Sequence, residues 1–404
     1  MFSVKGLNSL KDVSKFLDGQ MFVGDHEING ISFDSRHIKK NELFIPLKGD
    51  NFDGNNYIDE AVSKGGFALS DRKEKKCSIL VENVYESLLK LAQKNLEEIR
   101  PKIVFITGSH GKTTIKDMLK FSLGEKCHAS KENQNNQFGI PFTILQMPYT
   151  SEIIIVECGA RKEGDFDEIA KYLFCDVFVL TDITHNHIET FKSIENIEST
   201  KLKLLKTLVK KENFIDGREI EQQNYLQKNL LISKKVLEIL ELKESGELYE
   251  FIPSKGRGNR EKFKNAEIID HSYNANPKAI IETAKLENPN KTVLILGDMA
   301  ELGKDELKIH CDLLNKLEGY EIFITGKIFY ECFKTQKRDK LYFFENENDF
   351  PRKILSTKLD EGINLYFKGS RSRKKERYND IIKNDLFIFK SRIQSKISSK
   401  IFYF

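Results

Sequence analysis

Lys102-Ile103-Val104-Phe105-Ile106-Thr107-Gly108-Ser109-His110-Gly111-Lys112-Thr113-Thr114 is the stretch on which the fold turns. Its first half, Ile103 to Ile106, is an unbroken apolar run, as a strand buried on both faces of a parallel sheet requires. A glycine-bracketed turn follows, and the spacing from Thr113 to Leu123 predicts a helix. Phosphate chemistry needs that order. Glycines let backbone N–H groups turn toward a polyphosphate, and the helix N-terminus adds its partial positive charge. Lys112 can reach the β- and γ-phosphates, and the Thr113 hydroxyl can hold Mg²⁺. The standard G-x-x-x-x-G-K-[ST] spacing is not met, because Ile106 stands where its first glycine belongs. A surface turn that happens to contain Gly-Lys-Thr is the bland alternative. The buried strand before it and the helix after it decide for nucleotide binding.

Working outward, buried strands are expected at 153–157 and 177–181, with a helix from about 194 to 209. Strands alternating with helices imply a parallel sheet. Glu157 closes the first of these strands, and a carboxylate at that edge points into the ligand crevice. His185-x-His187 follows the second, but no third ligand at zinc spacing accompanies it. From 212 to 260 charge is dense and strands are hard to place. Beyond it, strands at 267–269, 292–296, 321–325 and 364–367 alternate with helices near 277–286 and 305–317, a second, Rossmann-like unit. Before Pro101, short strands near 31–36 and 43–47 and helices near 58–64 and 88–100 make a small unit of their own. We therefore read an α/β chain of three domains: a small N-terminal α/β domain at 1–100, a central parallel-sheet ATPase domain with the phosphate loop at 101–260, and a C-terminal Rossmann-like domain at 261–404.

Bulk properties fit that reading. The 404 residues are 39% hydrophobic, enough for several cores, and 31% charged. The 65 basic and 61 acidic residues leave a net charge of +4, which argues against a protein that coats nucleic acid. No apolar run approaches the ~20 residues that span a bilayer, and the N-terminus lacks a signal-peptide core. The six cysteines form no C-x-x-C pair and read as reduced thiols of a soluble cytoplasmic protein.

Several segments together carry a family resemblance. Thr107-Gly108-Ser109-His110-Gly111-Lys112-Thr113-Thr114 resembles the shortened phosphate loop of Mur ligases and folylpolyglutamate synthetases, with His110 where asparagine is usual. Asn133-Gln134-Asn135-Asn136-Gln137-Phe138-Gly139-Ile140-Pro141 matches the N-x-N-N-x-x-G-x-P segment of the same ligases. Asp34-Ser35-Arg36, Leu43 to Gly49 and Phe52-Asp53-Gly54 resemble their N-terminal domain for the uridine diphosphate end of the substrate. Asp270-His271-Ser272-Tyr273-Asn274-Ala275-Asn276-Pro277, Leu296-Gly297-Asp298-Met299-Ala300-Glu301-Leu302-Gly303 and Lys368-Gly369-Ser370-Arg371 resemble segments of the branch of the Mur ligase family that adds D-alanyl-D-alanine.

The resemblance implies an ATP-dependent, ADP-forming ligase joining D-alanyl-D-alanine to UDP-N-acetylmuramoyl-tripeptide in peptidoglycan precursor synthesis, acting as a monomer. ATP would lie on Gly108, Ser109, His110, Gly111, Lys112, Thr113 and Thr114, with Asn274 and Arg257 contributing. Mg²⁺ would be held by Thr113, Glu157, His187 and a carbamylated Lys201. Lys112, Lys201, His187 and Lys368 would be the catalytic set. Ser35, Arg36, Asn135, Asn136, Asp298, Glu301, Ser370 and Arg371 would bind substrate. Alone, Lys201 would read as one of many lysines on a solvated helix.

The central domain departs from the family by being short. Val209 leads almost directly to Phe214-Ile215-Asp216-Gly217-Arg218-Glu219-Ile220, and Glu219 and Ile220 stand where His and Asn of the adenine-side G-x-H-N segment are expected. Missing strands would expose the ATP site and leave sheet edges unpaired. The alternatives are therefore a non-catalytic protein binding a UDP-sugar or nucleotide, or another Mur or folylpolyglutamate-type ligase.

Overall fold

A computed structural model describes residues 4–73, 77–131, 134–184, 188–222, 224–243, 248–273, 275–346 and 348–369. The expected site residues His187, Asn274, Ser370 and Arg371 lie outside the described residues, as do His185 and Asn133. The chain divides into two compact units. The first comprises residues up to 183, 195–220 and 230–249, and the second comprises 184–194, 221–229 and 250 onward.

The first unit contains two five-stranded sheets. The N-terminal sheet runs in the order Gln20–Met21, Ile79–Leu80, Phe67–Ser70, Glu42–Phe44, Gly30–Ser32, parallel except for its first pair. Ile38, Phe44, Ile58, Ala61 and Ala68 pack together as its core. The central sheet is wholly parallel, in the order Phe214–Asp216, Val177–Leu180, Lys102–Thr107, Ile153–Glu157, Cys127–Ala129. Its middle strands are apolar throughout because both faces are covered, and Val104, Phe105 and Ile106 are fully buried. The two sheets share one unit for visible reasons. Phe33 packs on Phe142 at 3.8 Å between ring centroids, the Tyr85 hydroxyl donates to the Gln137 carbonyl at 3.1 Å, and Lys162 pairs with Asp50 at 2.8 Å.

The segment that reads poorly in sequence holds the edge strand Phe214–Asp216 and a helix, Tyr225–Ile239. The helix is amphipathic, burying Ile232, Val236 and Leu237. The helix expected over 194–209 instead ends at Leu202 and tightens into a 3₁₀ turn, Lys203–Thr207.

The second unit holds a six-stranded sheet in the order Asn259–Phe263, Ala266–Asp270, Asn364–Lys368, Thr292–Gly297, Glu321–Thr325, Leu341–Phe343. The first pair is antiparallel and the rest are parallel. The outermost strand starts at Asn259, so a domain limit between 260 and 261 would cut it. Helices Pro277–Ala284, Glu306–Lys316, Lys327–Thr335 and Arg352–Asp360 accompany the sheet. One correction falls here. Cys311 and Cys332 form a disulfide between two of these helices, with Cα atoms 5.3 Å apart, and only Cys77, Cys127, Cys158 and Cys175 are free thiols. Their pairing comes from helix packing across 21 residues of sequence and has no local signature. Among the described residues, no helix is long and apolar enough to cross a membrane.

Candidate active site

The phosphate loop occupies the C-terminal end of the middle strand of the central sheet, and its shape is imposed by close packing. Gly108 has φ +139°, and a Cβ there would lie 2.0 Å from the Thr181 hydroxyl oxygen. Only glycine fits. Gly111, at φ +79°, caps the helix Lys112–Leu123 without a side chain. The next strand end holds the loop down: Ser109 N–H donates to the Asp182 carbonyl at 2.8 Å, and the Thr181 hydroxyl donates to the His110 carbonyl. Thr181 is a residue whose part in the site no motif announces. Lys112 lies back over the loop, its Nζ donating to the Gly108 carbonyl at 2.7 Å.

Glu157 stands on the neighbouring strand end, 2% exposed. Its Oε2 accepts from the Thr113 hydroxyl at 2.7 Å and its Oε1 from the Asn135 amide at 2.9 Å. The phosphate-loop helix, the Glu157 strand and the asparagine segment thus converge on one carboxylate. The donor set offered by Thr113 and Glu157 is oxygen, the kind a hard divalent cation takes. Among the described residues, no three His, Cys, Asp or Glu side chains gather as a metal site.

Lys201, on the helix Ile194–Leu202, is 4% exposed. Burial, reinforced by the Lys112 cation, lowers its pKa to about 7. The structure therefore puts Lys201 within electrostatic reach of the loop lysine and keeps part of it as the neutral amine at neutral pH.

Three of the other expected substrate residues are engaged within the protein. Asn136 uses its side-chain oxygen to accept from the N–H groups of Phe138 and Gly139, at 3.2 and 2.9 Å, shaping the turn rather than presenting that oxygen outward. Ser35 is buried and donates to Glu60 Oε2 at 2.8 Å. Arg36 is exposed, with its guanidinium gripping Asp34 through Nε and Nη2 at 2.9 and 2.8 Å. That grip holds the Asp34 carboxyl well below the usual carboxylate range.

In the second unit, the signature segments lie at the C-terminal edge of the six-stranded sheet. Asp270 is fully buried; its Oδ1 accepts from the backbone N–H and hydroxyl of Ser272 at 3.0 and 2.6 Å. Lys368 ends the adjacent strand, and burial lowers its pKa to about 8 against the opposing pull of Asp270 and Glu282. His271 is held neutral by burial, with the Lys368 and Arg260 cations adding to the effect. Arg257 stacks 3.6 Å above the Tyr273 ring. Asp298 is fully buried and caps the helix Lys327–Thr335, accepting from the N–H groups of Ile328 and Phe329 at 3.2 and 3.0 Å. Glu301 is exposed in the left-handed region at φ +62°.

Sequence comparison agrees with this geometry. The pattern for the catalytic domain of the Mur ligase family matches residues 27–110, and that for the Mur ligase middle domain matches residues 106–248. Together they run over more than half of the chain. The chain belongs to the Mur ligase family.

Among its relatives, UDP-N-acetylmuramoyl-tripeptide--D-alanyl-D-alanine ligase of Bacillus subtilis (strain 168) is 28% identical, with 94% of this chain and 99% of that one aligned. The ligase of the same description from Escherichia coli (strain K12) is 21% identical over 90% and 96% of the two chains. In fold, this Mur ligase resembles MurF from Acinetobacter baumannii, with a TM-score of 0.78 and 21% identity over 93% of this chain and 99% of that one. It also resembles the MurF ligase from Thermotoga maritima solved in complex with ADP, with a TM-score of 0.76 and 24% identity over 88% and 97%. The Bacillus alignment spans 455 positions against 404 residues here, so that relative contains segments this chain lacks.

Proposed function

We infer that this Mur ligase adds D-alanyl-D-alanine to UDP-N-acetylmuramoyl-tripeptide at the expense of ATP, forming ADP and phosphate. The observation that carries the reading is the convergence of Thr113, Asn135 and Glu157 beside the phosphate loop, with the depressed Lys201 in electrostatic reach. Near-complete alignment to ligases of that description supports the choice of substrates.

The chemistry has two steps. The tripeptide carboxylate attacks the γ-phosphorus of ATP, giving an acyl phosphate and ADP. The amine of D-alanyl-D-alanine then attacks the carbonyl carbon, a tetrahedral intermediate forms, a proton leaves the nitrogen and phosphate departs. A carboxylate and a polyphosphate repel, so the protein's task is charge neutralisation and positioning. The N-terminus of the helix Lys112–Leu123 and the loop N–H groups receive the phosphates, and Lys112 exchanges its bond to the Gly108 carbonyl for a phosphate oxygen. Thr113 and Glu157 would hold Mg²⁺, which when bound neutralises phosphate charge. Lys201, as the neutral amine, can add to CO₂ with loss of a proton, and the carbamate so formed is an anionic oxygen ligand of the same hard kind.

The test is phosphate release with ATP, Mg²⁺, UDP-N-acetylmuramoyl-tripeptide and D-alanyl-D-alanine, each omitted in turn, with Lys112→Ala as control. Release should need all four and fall by at least roughly a hundredfold in the control, the scale of losing one charge-stabilising donor. A folded protein that binds the UDP-tripeptide yet releases no phosphate overturns the reading in favour of a binding protein.

A further inference from the structure

The strand Val177–Leu180 lies between the strands Lys102–Thr107 and Phe214–Asp216 of the central sheet, and Thr181 is the first residue past its end. The Thr181 N–H continues the ladder by donating to the Thr107 carbonyl at 2.9 Å, which fixes the residue beside the start of the phosphate loop. Thr181 is buried, with a glycine packed on either side of it. A Cβ on Gly108 would run into the Thr181 hydroxyl, and a Cβ on Gly217 would lie 2.5 Å from the Thr181 carbonyl oxygen. Both neighbours must lack a side chain for Thr181 to sit this close.

The peptide planes of the loop show what the close seat does. Every peptide among the described residues is trans, and a flat trans unit points its C=O and N–H in opposite directions. In the 108–109 peptide, the Ser109 N–H donates to the Asp182 carbonyl at 2.8 Å. The Gly108 carbonyl therefore faces away from that strand end, where it holds the Lys112 ammonium at 2.7 Å. In the 110–111 peptide the order is reversed. The Thr181 hydroxyl donates to the His110 carbonyl, so the Gly111 N–H is the end that faces away. A backbone N–H beside a helix N-terminus attracts an anion, and a carbonyl in its place would repel one. The Thr181 hydroxyl thus decides which end of this peptide an anion meets.

We infer that Thr181 is a positioning residue for the nucleotide: by holding the His110 carbonyl it keeps the Gly111 N–H aimed at a phosphate oxygen of the bound ADP or ATP, without itself touching the phosphate. This rests on the ATP site of the ligase reading above.

Calorimetric titration of the full chain with ADP and Mg²⁺ tests it. Thr181→Val removes the hydroxyl at nearly constant volume. Thr181→Ala removes it without setting a methyl group against the loop, and carries the comparison if the valine variant does not fold. Thr181→Ser keeps the hydroxyl. The Kd for ADP should rise about tenfold or more in the valine and alanine variants, the worth of one hydrogen bond to a charged group. Thr181→Ser should recover most of that affinity. The Kd for UDP-N-acetylmuramoyl-tripeptide should stay within about twofold throughout, because a change confined to one phosphate contact leaves a separate ligand's binding free energy nearly untouched. Folded valine and alanine variants with unchanged ADP affinity overturn the inference. So does a loss that serine does not restore, or one that falls equally on both ligands. Wild-type protein that binds no ADP overturns the ATP site and this inference with it.

Discussion

Lys201 shows what a buried lysine costs its fold. An amine buried to 4% exposure is held near pKa 7 where an open chain has 10.5. The folded-state value is the lower one, so the native chain binds the proton less well than the unfolded chain. The penalty is complete below about pH 7, shrinks as pH rises and is gone above 10.5. Lys201→Met should therefore be more stable than wild type at pH 6.5 in CO₂-free buffer, with the gap narrowing by pH 9. Each kcal/mol gained shifts Tm by roughly 2–4 °C in a unit of this size. The same variant should have no ligase activity. Thermal scans across that pH range check it; a variant no more stable at pH 6.5 would mean the amine is already relieved by a partner. Several residues at this scale were legible in sequence. Gly108, Gly111, Lys112 and Thr113 could be read because one contiguous motif holds their geometry. Asp298, expected to bind substrate, caps a helix instead, and sequence could not show this because its partners are about thirty residues away.

Between elements, the loop after Thr292–Gly297 and the helix Lys327–Thr335 are joined through an absence. Gly326 precedes the helix at φ +116°, and a Cβ there would lie 2.2 Å from the Asp298 carboxyl carbon. Gly326→Ala must expel the carboxylate from its cap and strain the backbone. It should cost roughly 2 kcal/mol or more, combining a lost cap with an unfavourable φ. Denaturant unfolding measures this, and a loss under about 0.5 kcal/mol, the range of neutral surface changes, would show that the cap is dispensable. Strands with continuous apolar runs, such as residues 153–156, were readable because burial on both faces favours apolar residues throughout. The helix Tyr225–Ile239 was not, because its Lys, Asn and Gln residues dilute a buried stripe that becomes visible only once the packing partner is known. The short edge strands of the central sheet, Phe214–Asp216 and Cys127–Ala129, have three residues each. Edges that short offer little template for unwanted pairing.

At the scale of the whole molecule, the order of the three large sheets along the chain was legible, since each begins a fresh alternation of strands and helices. How the chain is shared between compact units was not, because that depends on which segments pack together. The backbone passes from one unit to the other at 183/184, 194/195, 220/221, 229/230 and 249/250. Within the second unit, the 184–194 segment reaches the 303 loop, with Glu189 accepting from the Gly303 N–H at 3.3 Å. The chain thus enters the second unit twice before the last crossing. Ile252, 79% exposed beside the last crossing, is an inviting site for a protease. A single cut there should leave two fragments that still elute as one body, because the upstream piece keeps two stitches in the downstream unit. Gel filtration of the nicked protein in buffer and then in urea reads the outcome. Fragments that part in plain buffer would mean the stitches do not hold. If they hold, neither compact unit can be obtained by expressing one uninterrupted length of the chain, and a shortened version must be designed by removing loops rather than by choosing an endpoint.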